Sequence, residues 1–227
     1  MVLLSCENSS TKQNDNIMKE INQQENLLAT LHNNNLKDFK WLNEPDEYSL
    51  SNNSLSITAG AKSDYFNDPS SNSINANAPF LYKEISGDFV ATALLKPDFN
   101  DMWNALSLMM HINDRNWIKF AFENSDATSK SIVTVVTRNV SDDANGVILN
   151  EIDMVWLKLA RRKNNYSLHW SVDGKEYKMA RLSAMPHSDT VKIGIEAQCP
   201  VGEHAKHKVL YFSIEKKSVG DLRKIKE

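Results

Sequence analysis

The sequence predicts an all-β protein, a sandwich of two packed antiparallel sheets. From residue 39 onward, short runs rich in Val, Ile, Phe, Tyr and Trp alternate with polar residues, which is the pattern of half-buried strands. Clusters of Asn, Asp, Gly and Ser separate these runs and are typical of turns. The strands do not alternate with helical patterns, so parallel βαβ units are not expected. We therefore predict one sandwich domain over residues 36–217, with no internal repeat.

Ten runs have the composition and alternation of strands. They cover residues 55–58, 80–85, 88–95, 105–112, 117–123, 131–138, 154–161, 166–171, 191–198 and 209–214. The sequence "VDGK" at 172–175 contains the Asp-Gly pair that is typical of tight hairpin turns. It predicts a hairpin between the strand "YSLHWS" and the following run "EYKMAR".

The residues before the sandwich are predicted to form a tether and a helix. Residues 1–16 are mostly polar and are expected to be a tether or the remnant of a signal. The start "MVLLSC" resembles the end of a bacterial lipoprotein signal, which makes Cys6 a candidate for lipidation. We expect the cell envelope if Cys6 is lipidated and the cytoplasm otherwise. Apolar residues at roughly helical spacing predict a short helix within residues 17–35.

Composition excludes several classes of protein. Lys and Arg number 26 and Asp and Glu number 29, and this near balance argues against a nucleic-acid partner. No apolar run approaches the roughly 18 residues that a membrane-spanning helix needs. Cys6 and Cys199 lie far apart in sequence and indicate neither a disulfide framework nor a metal site. We expect a monomer without a cofactor, ending in a charged tail over residues 218–227.

Alternation along the run 117–123 separates a core face from an outer face. The core face carries Ile118, Phe120 and Phe122. Trp117, Lys119 and Glu123 lie on the other face, and a Trp on an open face favours a ligand-binding surface. The alternative is an ordinary solvated face with a weak ion pair between Lys119 and Glu123.

Two further runs can contribute to this surface. In the run 191–198, alternation places Glu196 on the outer face, with Gly194 allowing the close approach of a ligand or another backbone. The run 131–138 does not reveal which of its sides is inward. If Arg138 joins the face of Trp117, it adds a guanidinium suited to carboxylates or sugar hydroxyls.

The stretch "EIDMVW" at 151–156 is similar to the Glu-Ile-Asp-x-x-Glu motif of retaining β-glucanases. Such enzymes need two carboxyl groups, one to attack and one to protonate. Here Trp156 stands at the position of the acid/base. We interpret the similarity as chance and expect Glu151 and Asp153 to be solvated.

The stretch "GEHAKH" at 202–207 could imitate a metal site through Glu203, His204 and His207. We expect these residues in a solvated loop and predict no metal. Neither a Gly-rich phosphate loop nor a Gly-x-Ser-x-Gly elbow occurs in the sequence, so nucleotide binding and serine hydrolysis have no support.

Several motifs, taken in order, resemble the DUF1349 family, the regulation-of-enolase-like proteins. They are "FKWLNEP" at 39–45, "SDYF" at 63–66, "SGDF" at 86–89, "NWIKFAFE" at 116–123, "VVTR" at 135–138 followed by Ser141 and Asp142, "WLKLARR" at 156–162, "YSLHWSVDG" at 166–174, and Arg181. The resemblance implies a jelly-roll sandwich of the concanavalin A-like lectin/glucanase kind, without an established reaction.

The family's recurring polar and aromatic positions imply a ligand-binding set. In this sequence they match Asp64, Tyr65, Phe66, Trp117, Lys119, Glu123, Arg138 and Asp142, to which the alternation analysis adds Glu196. The sequence departs from the family pattern at Asn104, Ser107 and Asp143, where an acidic residue, a Gly and a Trp are usual. These departures alter the charge and shape of any pocket that they line.

Three functions follow as hypotheses. The leading one is a non-catalytic module that binds an oligosaccharide or sugar-like ligand, with Trp117 as the stacking platform. The second is a glycoside hydrolase in which Glu123 or Glu196 supplies a carboxyl group. The third is a protein-interaction or regulatory domain, since sandwiches serve all three functions.

Overall fold

The computed structural model describes residues 25–71 and 73–225, which form two seven-stranded antiparallel sheets and a two-stranded ribbon. The strands are β1 (Lys40–Leu42), β2 (Glu47–Ser51), β3 (Ser54–Gly60), β4 (Tyr65–Asn67), β5 (Ile74–Ala76), β6 (Phe80–Ser86), β7 (Phe89–Lys96), β8 (Ala105–Asn113), β9 (Asn116–Ser125), β10 (Ser129–Arg138), β11 (Val140–Ile148), β12 (Val155–Arg162), β13 (Asn165–Ser171), β14 (Lys178–Ala184), β15 (Thr190–Gln198) and β16 (His204–Glu215).

The strand order defines a front sheet and a back sheet. The front sheet runs β1-β6-β15-β8-β9-β10-β11, and the back sheet runs β14-β13-β12-β7-β16-β3-β2. Strands β4 and β5 pair only with each other, as a short ribbon. The predicted sandwich of two antiparallel sheets is therefore confirmed.

The main hydrophobic core lies between the two sheets. Alternate side chains of the front sheet, among them Ile118, Phe120 and Phe122, pack there against residues of the back sheet such as Phe89 and Phe212. All five are essentially inaccessible to solvent. Burial of this apolar surface is the main favourable contribution to folding.

A second hydrophobic cluster lies on the outer face of the front sheet, the face turned away from the back sheet. Tyr65 of the β4–β5 ribbon packs there with Phe80, Met109 and Trp117. The ring of Tyr65 meets the indole of Trp117 edge-on, with centroids 5.9 Å apart. The ribbon thus covers part of a sheet face that would otherwise meet solvent.

All ten predicted strands are confirmed, and the structure adds six, of which β14 overlaps the run "EYKMAR" expected to follow the hairpin turn. Three of the six, β1, β4 and β5, are only three residues long, which is too short to show alternation. Strands β11 and β14 are edge strands with mostly exposed or half-exposed residues, so they lack an apolar face to reveal them.

The predicted tight hairpin between β13 and β14 is wrong in length. Six residues, 172–177, join the two strands, because the Asp173 carboxylate accepts hydrogen bonds from the backbone N–H groups of Lys175 and Glu176. These bonds hold the chain in a wider turn, in which Gly174 has a φ of 76°. The Asp-Gly pair still marks the place of the turn.

The predicted N-terminal helix is also wrong where it can be compared. The described part of it contains a single 3₁₀ turn, Leu27–Thr30, whose N-cap is Asn26. The Asn26 side chain accepts hydrogen bonds from the N–H groups of Leu28 and Phe212, so this segment is fastened to β16. Cys6 and the first half of the predicted helix lie outside the described residues. None of the helical segments in the described part of the chain is long and apolar enough to span a membrane.

Gly194 lies in the centre of the front sheet, on β15. A Cβ atom at this position would collide with the carbonyl oxygen of Leu81 and lie 2.7 Å from Cα of Tyr82, both backbone atoms of β6. The close approach expected at Gly194 is therefore that of a neighbouring strand.

We predict that Gly194→Ala lowers the free energy of unfolding by about 1–3 kcal/mol, because the sheet must open to admit the methyl group. Urea denaturation followed by tryptophan fluorescence measures the change. Gly60→Ala is the matched control, since a Cβ there meets no atom within 4 Å. Equal stability of the two variants would contradict the prediction.

Candidate ligand-binding site

The candidate site lies on the outer face of the front sheet, where charged residues are interleaved with small ones. Glu123 on β9 is opposite Ala105 on β8, and Glu196 on β15 is opposite Ser107 on β8. Lys119 lies four residues before Glu123 and therefore on the same face of β9. Strand β8, which lies between β15 and β9, therefore carries a small side chain opposite each of the two carboxyl groups.

Lys119 is the charged centre of the site and is almost fully buried. Its ammonium donates to Oε1 of Gln198 at 2.6 Å, to the carbonyl oxygen of Tyr65 at 2.9 Å and to Oδ1 of Asp64 at 3.1 Å. An ammonium has three hydrogens, so its donors are all used. Burial lowers the pKa of Lys119, but the carboxylates of Asp64, Glu196 and Glu123 raise it above its usual value, so Lys119 stays cationic.

Two buried carboxyl groups flank Lys119. Burial raises the pKa of both Glu123 and Glu196 to about 7, against the opposing effect of the Lys119 charge. Glu123 is only 8% exposed, and none of the described residues donates a hydrogen bond to it. Glu196 is fully buried, and neither of its carboxylate oxygens accepts a well-formed hydrogen bond within the described part of the chain.

A pocket of about 270 Å³ opens beside these groups. Its lining residues are Asp64, Phe66, Trp103, Lys119, Glu123, Asp126, Val133, Val135, Asp143, Gln198 and Pro200. Four of them are carboxylates, one is a cation, and two are aromatic. The pocket thus combines acceptors for hydrogen bonds with aromatic and aliphatic walls.

Trp103 forms one wall of the pocket and is held in an unusual backbone conformation. Its φ is 61°, a left-handed value that is rare for a bulky residue. Its N–H donates to the carbonyl oxygen of Asn124 at 2.7 Å, and its own carbonyl oxygen accepts from Nε2 of Gln198 at 2.8 Å. Both backbone groups of Trp103 are therefore hydrogen-bonded, whereas its indole is 39% exposed.

Comparison with known proteins places the chain in a family. A family model described as "Protein of unknown function (DUF1349)" matches residues 41–217. The chain belongs to the DUF1349 family. A curated relative from Saccharomyces cerevisiae, "Regulation of enolase protein 1", is 24% identical over 168 residues, which is 74% of this chain and 84% of the relative.

Solved structures support the same fold for this DUF1349 protein. A functionally unknown protein from Saccharomyces cerevisiae superposes with a TM-score of 0.75 and 22% identity, over 80% of this chain and 98% of the other. The GH43 protein BlXynB from Bacillus licheniformis gives a TM-score of 0.60 and 16% identity, over 78% of this chain but only 36% of its own. A seed lectin from Lotus tetragonolobus gives 0.52 and 8%, over 78% and 92% of the two chains. At these identities the comparisons show a concanavalin-like sandwich, and they carry no information about activity.

Six of the nine residues predicted for the site lie in or next to the pocket of this DUF1349 protein. Asp64, Phe66, Lys119 and Glu123 line it. Glu196 lies on the same face of the sheet, where its charge acts on Glu123 and Lys119. Tyr65 is buried beside the pocket, and its hydroxyl accepts a hydrogen bond from Asn43 at 3.3 Å.

The expectation that Trp117 is exposed on an open face is wrong. Trp117 is 0% exposed, because Tyr65 of the ribbon packs over it. Its indole belongs to the outer hydrophobic cluster, so it cannot serve as a stacking platform in this structure. Trp103 is the exposed indole of the pocket.

Arg138 and Asp142 do not join the pocket either. Arg138 pairs with Asn116 in the β9–β10 register and so faces away from Trp117; its guanidinium donates to the carbonyl oxygen of Ala184. Asp142 forms an ion pair with Arg181 at 2.7 Å, at the edge of the front sheet. Asp143 is opposite Val135 and lines the pocket instead.

The other candidates from the sequence have structural roles. Glu151 and Asp153 are exposed as expected, and Trp156 packs against Tyr211 with centroids 5.2 Å apart, so none of the three contributes to the pocket. The loop predicted around "GEHAKH" is wrong, because β16 begins at His204. His207 is buried: its Nδ1 accepts from the N–H of Asp98, its Nε2 donates to the carbonyl oxygen of Gln198, and burial lowers its pKa to about 4.

Metal ligands are not clustered in the described residues: no three His, Cys, Asp or Glu side chains lie close enough to hold an ion. The pocket residues that sequence analysis missed are Trp103, Asp126, Val133, Val135, Asp143, Gln198 and Pro200. Gln198 lies two residues after Glu196 on β15, so alternation places it on the same outer face. For Trp103, an aromatic residue in a polar connection between two strands was the available signal.

We predict that Glu196→Gln changes how stability depends on pH. The pKa of Glu196 is about 7 in the folded protein, against an ordinary value of 4.5. Between these values the folded state keeps a proton that the unfolded state has lost, so the stability contributed by Glu196 falls as pH rises to about 7. The Gln side chain of the variant at position 196 cannot ionise. Its free energy of unfolding relative to wild type should therefore increase by roughly 1–3 kcal/mol between pH 5 and pH 8.

Urea denaturation of both proteins at the two pH values measures this difference. Glu151→Gln, in an exposed connection, is the control and should differ from wild type by the same amount at both pH values. A pH-independent difference for Glu196→Gln would refute the prediction.

Proposed function

We propose that this DUF1349 protein binds a carbohydrate or sugar-like ligand in the pocket beside Lys119, without transforming it. The observation that carries the proposal is the exposed indole of Trp103 beside the carboxylates of Glu123, Asp126 and Asp143. Aromatic rings stack on the apolar faces of sugar rings, and carboxylates accept hydrogen bonds from hydroxyl groups. This combination suits a ligand that is apolar on its faces and polar around its edge.

Hydrogen bonds within the protein connect two sides of the pocket. Gln198 donates to the backbone of Trp103 and accepts from Lys119, so the aromatic wall and the charged floor are tied together. A site that is already ordered loses less conformational entropy on binding. With about 270 Å³, the pocket is at the small end of the range for ligand sites, which suits a single sugar ring better than a long glycan.

The relatives support this proposal at the level of fold. A seed lectin and the GH43 protein share the sandwich, although fold alone does not determine function. The name of the yeast relative refers to regulation of enolase. A pocket that binds a small molecule without turnover is also what a regulatory protein needs to sense one.

We predict that Trp103→Ala weakens sugar binding about tenfold or more, because the stacking surface is lost. Isothermal titration calorimetry against a panel of monosaccharides and disaccharides at millimolar concentration measures the affinity of each variant. Trp103→Phe should retain part of the affinity, since it keeps an aromatic face.

Met179→Ala is the matched control, because it removes an exposed apolar side chain from β14 of the back sheet. Circular dichroism verifies that each variant is folded. Unchanged affinity in Trp103→Ala, or the absence of binding to the whole panel by the wild type, would disprove the proposed site.

One observation favours a second function, glycoside hydrolysis. Burial raises the pKa of Glu123 to about 7, and Glu123 shares the pocket with the carboxyl groups of Asp126 and Asp143. A glycosidase uses such a pair as acid and as base or nucleophile. This function predicts release of reducing sugar that declines above pH 7 and is abolished in Glu123→Gln. Absence of release from oligosaccharides that the protein binds would exclude it.

A further inference from the structure

We infer that the sugar recognised by the pocket carries an ammonium group, so that the ligand is a cationic amino sugar. This inference rests on the proposed function and specifies the class of its ligand. It follows from the balance of charges in the pocket, from one buried carboxyl group without a donor, and from the aromatic walls.

The lining of the pocket carries an excess of negative charge. Four lining residues, Asp64, Glu123, Asp126 and Asp143, have carboxyl groups, and Lys119 is the one cation among the lining residues. The Lys119 ammonium is fully engaged by Asp64, Gln198 and the backbone of Tyr65, so it has no hydrogen left for a ligand. A ligand therefore meets acceptors and negative charge.

Glu123 is the second, independent observation. It is more than nine-tenths buried, it lines the pocket, and none of the described residues donates a hydrogen bond to it. Buried polar groups in proteins are almost always hydrogen-bonded, so a carboxyl group left without a donor at the wall of a pocket indicates a donor on the ligand. An ammonium offers three hydrogen-bond donors and a positive charge. A hydroxyl offers one donor and no charge.

The walls distinguish an amino sugar from a simple inorganic cation. Trp103 and Phe66 present aromatic rings, and Val133, Val135 and Pro200 complete an apolar surface that a hydrated metal ion cannot use. Aromatic faces also attract organic cations. An acidic sugar would be repelled by the carboxylates, and a neutral sugar would supply no positive charge to offset the excess of carboxyl groups in the lining.

Binding should be linked to the protonation of Glu123. The groups that act on its pKa are Lys119 on its own strand, Glu196 on β15, Asp64 before the ribbon and Asp143 on β11. Because the pKa of Glu123 is about 7, much of it is protonated at pH 6. A bound ammonium lowers that pKa, so complex formation at pH 6 should release a proton and affinity should rise toward pH 7.

The test compares glucosamine, glucose and glucuronic acid by calorimetry at pH 7, since the first two differ in an ammonium in place of a hydroxyl. Glucosamine should bind about tenfold tighter than glucose, with glucuronic acid weakest. The preference should shrink as salt is raised, because the contact is ionic. At pH 6, titrations in two buffers of different ionisation enthalpy should show proton release on binding of glucosamine.

Glu123→Gln keeps the shape of the side chain and removes its charge. It should reduce the ratio of glucosamine to glucose affinity to about threefold or less and abolish the proton release. Glu151→Gln, at an exposed position that does not line the pocket, should preserve both.

The outcomes separate the two proposals. If glucose binds as tightly as glucosamine and Trp103→Ala loses binding, the proposal of a cationic ligand is wrong, whereas the proposal of a carbohydrate site is retained. Binding of none of the three sugars would overturn both.

Discussion

The buried ammonium of Lys119 is the interaction on which the outer face of the front sheet depends. It joins three separate parts of the chain: Asp64 and Tyr65 at the start of the ribbon, Gln198 at the end of β15, and β9 itself. A charge buried this deeply is costly unless it is paired and fully hydrogen-bonded, and Lys119 meets both conditions. The ribbon is positioned by this contact as well as by packing. Since Gln198 also holds the backbone of Trp103, one cation organises both the floor and a wall of the pocket.

The ribbon also accounts for a cluster of apolar residues on the outer face of the front sheet, apart from the main core. The main core lies between the sheets, and the ribbon makes a smaller second one over Trp117 and Met109. Where the ribbon ends, the sheet face is left with small side chains and carboxyl groups. The pocket is therefore the part of the outer face of the front sheet that the ribbon does not cover. This origin accounts for its mixed lining of Val133 and Val135, which belong to the second cluster, and Glu123.

The periodicity of single strands predicted much of this site, because it depends only on neighbours in sequence. Alternation placed Lys119 and Glu123 on one face of β9 and Glu196 on the outer face of β15, and all three lie together in the structure. What alternation could not provide is how strands pair. Whether Arg138 faces the pocket depends on its pairing with Asn116 across β9. The choice between Asp142 and Asp143 depends in the same way on β11, an edge strand whose polar sequence shows no apolar face.

The burial of Trp117 could not be predicted, because the element that covers it is a ribbon of two three-residue strands, which local sequence patterns do not reveal. The place of Trp103 in the pocket could not be predicted for a different reason. Its position depends on a left-handed backbone conformation that is fixed by partners 21 and 95 residues away, Asn124 and Gln198. Strained conformations of this kind cost of order 1–3 kcal/mol and persist where the surroundings enforce them, commonly at ligand sites.

The charge of the pocket is in part a property of this chain and not of its fold. The resemblance to the family implies Trp at position 143, where Asp143 adds a carboxyl group to the wall beside Glu123. Ser107, where the resemblance implies Gly, puts a hydroxyl opposite Glu196. Both exchanges leave the strands and their register compatible with the sandwich, since they lie on the outer face and not in the main core. A shared scaffold with a locally altered lining is the expected route by which members of one family come to recognise different ligands. The Lys119 contacts hold that scaffold in place, and the residues around them determine the charge that a ligand must carry.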